Sequence, residues 1–144
     1  MKETREKLLF QVTGNLAPGT RHWQKLVHAR LERYGVSGGC IGPLILIGRS
    51  DGGLSQVQLA QELGMESPSL VRLLDKLTAA DLVRRECDAN DRRSNRLSLT
   101  EKGWTIYPEM EREMTDLRNR VFAQMSEPEV RAVLKLYGLL AQAA

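Results

Sequence analysis

The sequence predicts a mainly α-helical fold with one small β-hairpin, and three observations predict it. Apolar residues recur every three to four positions near both ends of the chain. Two short helical patterns in the middle are joined by a glycine turn. After them, the extended runs LVRREC and RLSLT flank the turn formers Asp88, Asn90, Asp91, Ser94 and Asn95. With 144 residues, the chain suits one domain with a true core, or one subunit of an intertwined dimer. Its 42% hydrophobic and 27% charged residues are those of a soluble globular protein and exclude a disordered one.

From the N-terminus, Leu9, Val12, Leu16, Trp23, Leu26, Val27, Leu31 and Tyr34 keep helical spacing over residues 4–34. Pro18-Gly19 is expected to kink or break this helix, and Gly35 to cap its end. The stretch VSGGCIGPLILIGRSDGG is read as a further helix, carried by its LILI run against the glycines and Pro43. Ser55 with Gln58 spells a capping box, Leu59, Ala60 and Leu63 share one face, and Gly64 stands where a left-handed cap belongs. Ser67 is expected as the next N-cap with Pro68 at the first helical position. Leu70, Leu73, Leu74 and Leu77 then face a core while Ser69, Arg72 and Lys76 lie on the outer face.

Past the hairpin, Thr100 caps a long helix marked by Tyr107, Met110, Met114, Leu117 and Val121, with a kink expected at Pro108. Ser126 with Glu129 opens a last helix bearing Val130, Val133, Leu134, Tyr137 and Leu140. The terminal helices carry more apolar surface than the middle segment can cover, which predicts a two-fold homodimer. The expected organisation is a single domain over 1–144. In it 54–100 is a helix-turn-helix with an appended hairpin, while 1–50 and 101–144 supply dimerisation helices.

A helix-turn-helix presents its second helix to the major groove, about 12 Å wide, of double-stranded DNA. Arg72 is placed to pair with guanine, the start of the helix at Ser67, Pro68 and Ser69 to meet a base or phosphate with its hydroxyls and the N–H groups of Ser69 and Leu70, and Lys76 and Gln56 to hold phosphate. The net charge of +3 is only mildly basic, but Arg84, Arg85, Arg92, Arg93 and Arg96 crowd the hairpin. A hairpin beside a recognition helix is a wing, and arginine at its tip suits the narrow minor groove. Arg92 is expected to insert, Asp91 to stiffen the tip by accepting from Arg93, and Arg96 to add positive charge at the wing.

In LAQELGMESPSLVRLLDKL and LVRRECDANDRRSNRLSLTEKG the chain resembles the MarR family of winged helix-turn-helix regulators, closest to its SlyA branch. The specific match covers residues 54 to 103. It includes the D-x-R wing motif at Asp91, Arg92 and Arg93, and the tail L-x-L-T-x-x-G at Leu97, Leu99, Thr100 and Gly103. The resemblance implies a homodimer with interlocked terminal helices that binds a pseudo-palindrome and releases it when a small ligand or oxidant acts. It also implies a crevice for a small aromatic carboxylate, to which Arg21, His22 and Cys40 are assigned. The chain departs from the family pattern at Asp81, where glycine is usual, so Asp81 is expected in a left-handed conformation. It departs again at GVSGGCIGP, at the start of the helix that lines the effector crevice.

Other functions have less in the sequence to carry them. No enzyme is expected: His22 and His28 lie six residues apart, off a shared helical face, with no carboxylate or nucleophile motif beside them. Neither a cofactor nor a metal site is expected, because Cys40 and Cys87 form no CxxC pair. MKETREKLLFQVTGN lacks the apolar core of a signal peptide and IGPLILIG is far shorter than a membrane span, so a cytoplasmic protein with no membrane partner is expected. Two alternatives stay open: a redox-sensing regulator acting through Cys40, and a winged-helix protein-interaction module.

Overall fold

The computed structural model describes residues 2–88 and 91–144, with the side chains of 88 and 91–94 outside that description. Among the described residues, seven α-helices and three strands follow in the order α1 (Arg5–Gly14), α2 (Leu16–Leu31), α3 (Ile41–Ser50), β1 (Leu54–Ser55), α4 (Gln56–Leu63), α5 (Ser67–Ala79), β2 (Val83–Asp88), β3 (Asp91–Leu99), α6 (Glu101–Val121) and α7 (Glu127–Ala143). Short 3-10 turns at Glu32–Tyr34 and Gly38–Cys40 join α2 to α3. Contacts group the chain into two units, Met1–Met114 and Thr115–Ala144.

The first helical pattern is broken at Asn15, not at Pro18-Gly19. The Asn15 N–H and side-chain amide both donate to the Gln11 carbonyl, at 3.1 and 2.7 Å, and this closes α1. Pro18 then falls in the first turn of α2, where a missing N–H leaves no helical hydrogen bond unmade. Gly35, at φ 74°, ends the following 3-10 turn as expected. Pro108 stands inside α6, which runs unbroken from Glu101 to Val121.

Gly38 of GVSGGCIGP has a packing reason. A Cβ at position 38 would lie 2.9 Å from the Gln24 carbonyl oxygen, so only glycine lets this turn approach the α2 backbone so closely. The core of the first unit then gathers Val27 and Leu31 from α2, Leu44 and Ile47 from α3, Leu59 from α4, Leu70, Leu74 and Leu77 from α5, Leu82 and Leu97 from the sheet, and Met110 and Met114 from α6. Ion pairs tie α6 to its neighbours: Glu113 accepts from Arg30 and Arg33 at 3.2 and 3.0 Å, and Glu111 accepts from Arg49 at 3.1 Å. The Tyr107 hydroxyl donates to Glu111 at 2.7 Å, and burial together with that carboxylate raises its pKa.

The sheet has the order β1-β3-β2, all antiparallel, so the predicted hairpin gains a third strand at Leu54–Ser55. Pairing on the β2 side reaches Asp88 and resumes at Asp91, with an irregularity between Cys87 and Asp88. Asp91, Ser94 and Asn95, expected in the tip, thus belong to the backbone of β3. In the second unit, Ser126 and Glu129 form the predicted capping box at the start of α7, yet no residue of α7 is buried. Among the described residues, no helix is long and apolar enough to cross a membrane.

Candidate nucleic-acid interface

The helix-turn-helix is α4 and α5. Ser55 caps α4 with its hydroxyl accepting from the Gln58 N–H at 3.1 Å, while Gln58 Oε1 accepts from the Ser55 N–H at 2.9 Å. Gly64, at φ 62°, closes α4 in the left-handed conformation that lets the chain turn into α5. α5 starts one residue earlier than its sequence suggests. Glu66 is the N-cap, Ser67 the first helical residue and Pro68 the second, a place that also needs no N–H. The Leu70 N–H donates to the Glu66 carbonyl at 3.2 Å, so it is not among the free N–H groups of the first turn as expected.

With Leu70, Leu74 and Leu77 buried, α5 is held by its apolar face. The opposite face presents Arg72 and Lys76, both exposed and one turn apart, with Ser69 half-buried toward the helix start. Gln56 opens α4 half-buried, and its Oε1 is buried without a hydrogen-bond partner, so only its amide N–H groups suit a phosphate.

The wing is the β2-β3 hairpin. The side chains of Asp91, Arg92 and Arg93, singled out from the sequence, lie outside the described residues. Arg96 sits exposed on the central strand, opposite Glu86 on one side and Ser55 on the other. Arg84 reaches Glu86 at 3.7 Å, and Arg85 reaches back to Asp75 of α5 at 2.5 Å, a link between recognition helix and wing that no local pattern announces.

A compact corner joins α5, the wing and α6. Asp81 takes the expected left-handed conformation, at φ 60°. The Thr100 hydroxyl donates to the Asp81 carbonyl at 2.6 Å and accepts from the Gly103 N–H at 3.0 Å. The Thr100 N–H donates to the Leu82 carbonyl at 3.1 Å, and Lys102 Nζ donates to the Ala80 carbonyl at 3.0 Å. The predicted cap of α6 is therefore also the clasp that fixes the end of the recognition helix.

A sequence model of the MarR family matches residues 34–94. A MarR transcriptional regulator from Methanosarcina mazei Go1 is similar to this chain at 25% identity, with a TM-score of 0.78 over 92% of this chain and 94% of its own. Over those 61 residues, from the end of α2 into the wing, the chain is similar to the MarR family. The SlyA regulator shares the fold at a TM-score of 0.81 and 17% identity, covering 92% of each chain. A Staphylococcus aureus MepR-DNA complex shares it at 0.75 and 19%, over 99% of this chain and 100% of its own. The MarR family is one of transcriptional regulators rather than of enzymes.

In this chain the residues assigned to an effector crevice are dispersed. Arg21 lines a cavity of about 480 Å³ together with Gln24, Lys25, His28, Gly38 and Gly39. His22, one residue on and so turned about 100° around the helix, is exposed and not part of that lining. Cys40 is fully buried, its Sγ 3.6 Å from the Ser37 hydroxyl and 3.9 Å from the Leu73 carbonyl of α5. Lys25 and His28 were missed by the sequence reading, although Arg21, Lys25 and His28 keep the i, i+4, i+7 spacing of one helical face. Among the described residues no group of three or more His, Cys, Asp or Glu side chains could hold a metal ion.

Proposed function

We propose that this protein is a MarR-family, sequence-specific, double-stranded-DNA-binding transcriptional regulator that acts as a homodimer on a pseudo-palindromic operator and responds to a small anionic ligand. The observation that carries the reading is the display of Arg72 and Lys76 on the second helix of the pair, whose other face is sealed into the core, beside a basic wing. Arg72 reads guanine O6 and N7 in the major groove. Ser67, Ser69, Lys76 and the Gln56 amide position the duplex through phosphate, and Pro68 sets the start of the helix. Arg92 enters the minor groove, with Asp91, Arg93 and Arg96 completing the wing. In this organisation 54–100 reads DNA, while 1–50 and 101–144 join the two subunits.

The homodimer is supported by apolar surface left uncovered in the single chain. α1 exposes Leu8, Leu9, Phe10 and Val12 with no buried residue, and α7 exposes Val130, Leu134, Tyr137 and Leu140. In the second unit Phe122, Val133, Leu134 and Tyr137 also line an apolar cavity of about 530 Å³. The ligand class is supported by the Arg21, Lys25 and His28 cavity. Its lining offers the cationic Arg21 and Lys25 and no Phe, Tyr or Trp, so charge favours a carboxylate, with the His28 imidazole the one ring beside it.

Recovery of bound fragments from genomic DNA, followed by titration of the enriched duplex at rising salt, tests the reading. A log-log slope of about −0.9 for each phosphate contact is expected. An affinity insensitive to salt overturns DNA binding and leaves the winged helix as a protein-interaction module.

A further inference from the structure

Asp75 sits on the recognition helix between the two cations that the DNA reading requires, three residues after Arg72 and next to Lys76. Side chains three apart on a helix are neighbours, so Asp75 is within reach of Arg72. A carboxylate there does harm in two ways. It can capture the guanidinium meant for a base, and it places negative charge among phosphates. Yet the ion pair that forms is a different one: Asp75 Oδ1 receives Arg85 of β2 at 2.5 Å, and among the described residues Arg72 carries no ion pair.

We infer that Arg85 is a positioning residue for operator recognition, which sequesters Asp75 so that Arg72 stays unpaired for the major groove. The inference rests on the DNA-binding reading above and adds a residue to it. Arg85 is a quarter exposed and Asp75 more than half, so the pair contributes little to folding stability. Its value lies in which partner Asp75 takes. Arg85 itself is turned toward α5, so it serves the site through Asp75, with its own charge cancelled.

A double-mutant cycle measured on the recovered operator tests this. Arg85→Ala is expected to weaken binding about ten-fold, an ordinary coupling for contacting charges, with the salt slope and melting temperature close to wild type. Asp75→Asn alone is expected to change affinity little, and in its background Arg85→Ala is expected to cost nothing, because no carboxylate remains to capture Arg72. Arg85→Lys, which keeps the counter-charge, is expected to retain most of the affinity. Equal losses from Arg85→Ala in both backgrounds overturn the inference, as does a slope reduced by about one, the mark of a lost phosphate contact. If Arg72→Ala weakens binding while the cycle is additive, only this inference falls. If the wild type shows no salt-dependent binding, the DNA reading falls and takes this inference with it.

Discussion

Gly103 lies so close beneath Leu82 that a Cβ at position 103 would stand 2.3 Å from the Leu82 carbonyl oxygen. That carbonyl also accepts the Thr100 N–H, so the first turn of α6 and the exit of the recognition helix share one backbone contact. Gly103→Ala must push them apart. Overpacking of this kind costs about 1 to 3 kcal/mol. The expected outcome is a lower thermal midpoint together with weaker operator binding; an unchanged midpoint would show that the corner opens freely.

Arg72 and Arg92 should fail differently. Arg72→Ala is expected to lose about 1 to 3 kcal/mol on the preferred operator and to relax sequence preference, because a fork of donors to guanine is removed. Arg92→Ala is expected to weaken binding with a smaller effect on preference, since the minor groove distinguishes fewer base pairs. Binding arrays over operator variants separate the two. Unchanged affinity in both mutants removes the assignment.

Leu134 is 61% exposed in the single chain and lines the apolar cavity beside α7. If a second copy covers it, Leu134→Asp buries an unpaired carboxylate in each subunit and raises the dimer dissociation constant on the order of a hundred-fold or more. Sedimentation of wild type and mutant decides this. A monomeric wild type at micromolar concentration contradicts the homodimer.

The two thiols differ in access. Cys40 is fully buried and Cys87 is exposed. A maleimide is expected to label Cys87 in the native protein and Cys40 only after unfolding, and peroxide is expected to leave operator affinity unchanged. Prompt native labelling of Cys40, or release of DNA by peroxide in a Cys87→Ser variant, would restore the redox-sensing alternative.

The Glu129 carboxylate accepts the Ser126 N–H at 2.9 Å, and that bond, with the Ser126 hydroxyl second, holds its pKa below the ordinary value. A carboxylate lowered on folding contributes stability above its unfolded pKa, about 4.3, and loses it as pH falls through the folded one. The capping box is therefore whole at neutral pH and opens only in acid below that value. A carboxyl titration by NMR should give Glu129 a midpoint under that of an unfolded peptide; an equal midpoint rejects the box. Ser126→Ala is expected to destabilise α7 by about 1 kcal/mol at neutral pH.

What the sequence determined by itself are the features closed within a few residues. The capping boxes at Ser55-Gln58 and Ser126-Glu129, the left-handed Gly35, Gly64 and Asp81, and the leucine face of α5 were legible because donor, acceptor and backbone conformation are near neighbours in the chain. Where two local signals compete, the sequence misleads slightly: Pro18 looks like a breaker, but Asn15 closes α1 first and leaves Pro18 harmless in a first turn. Only the tertiary structure decided that Leu54 and Ser55 add a strand, that Arg85 takes Asp75, that Cys40 turns inward, and that Gly38 and Gly39 join the Arg21, Lys25 and His28 face in lining a cavity. Most of these depend on residues brought together from distant parts of the chain, and there the packing of the core, not the local preference of any residue, chooses the partner.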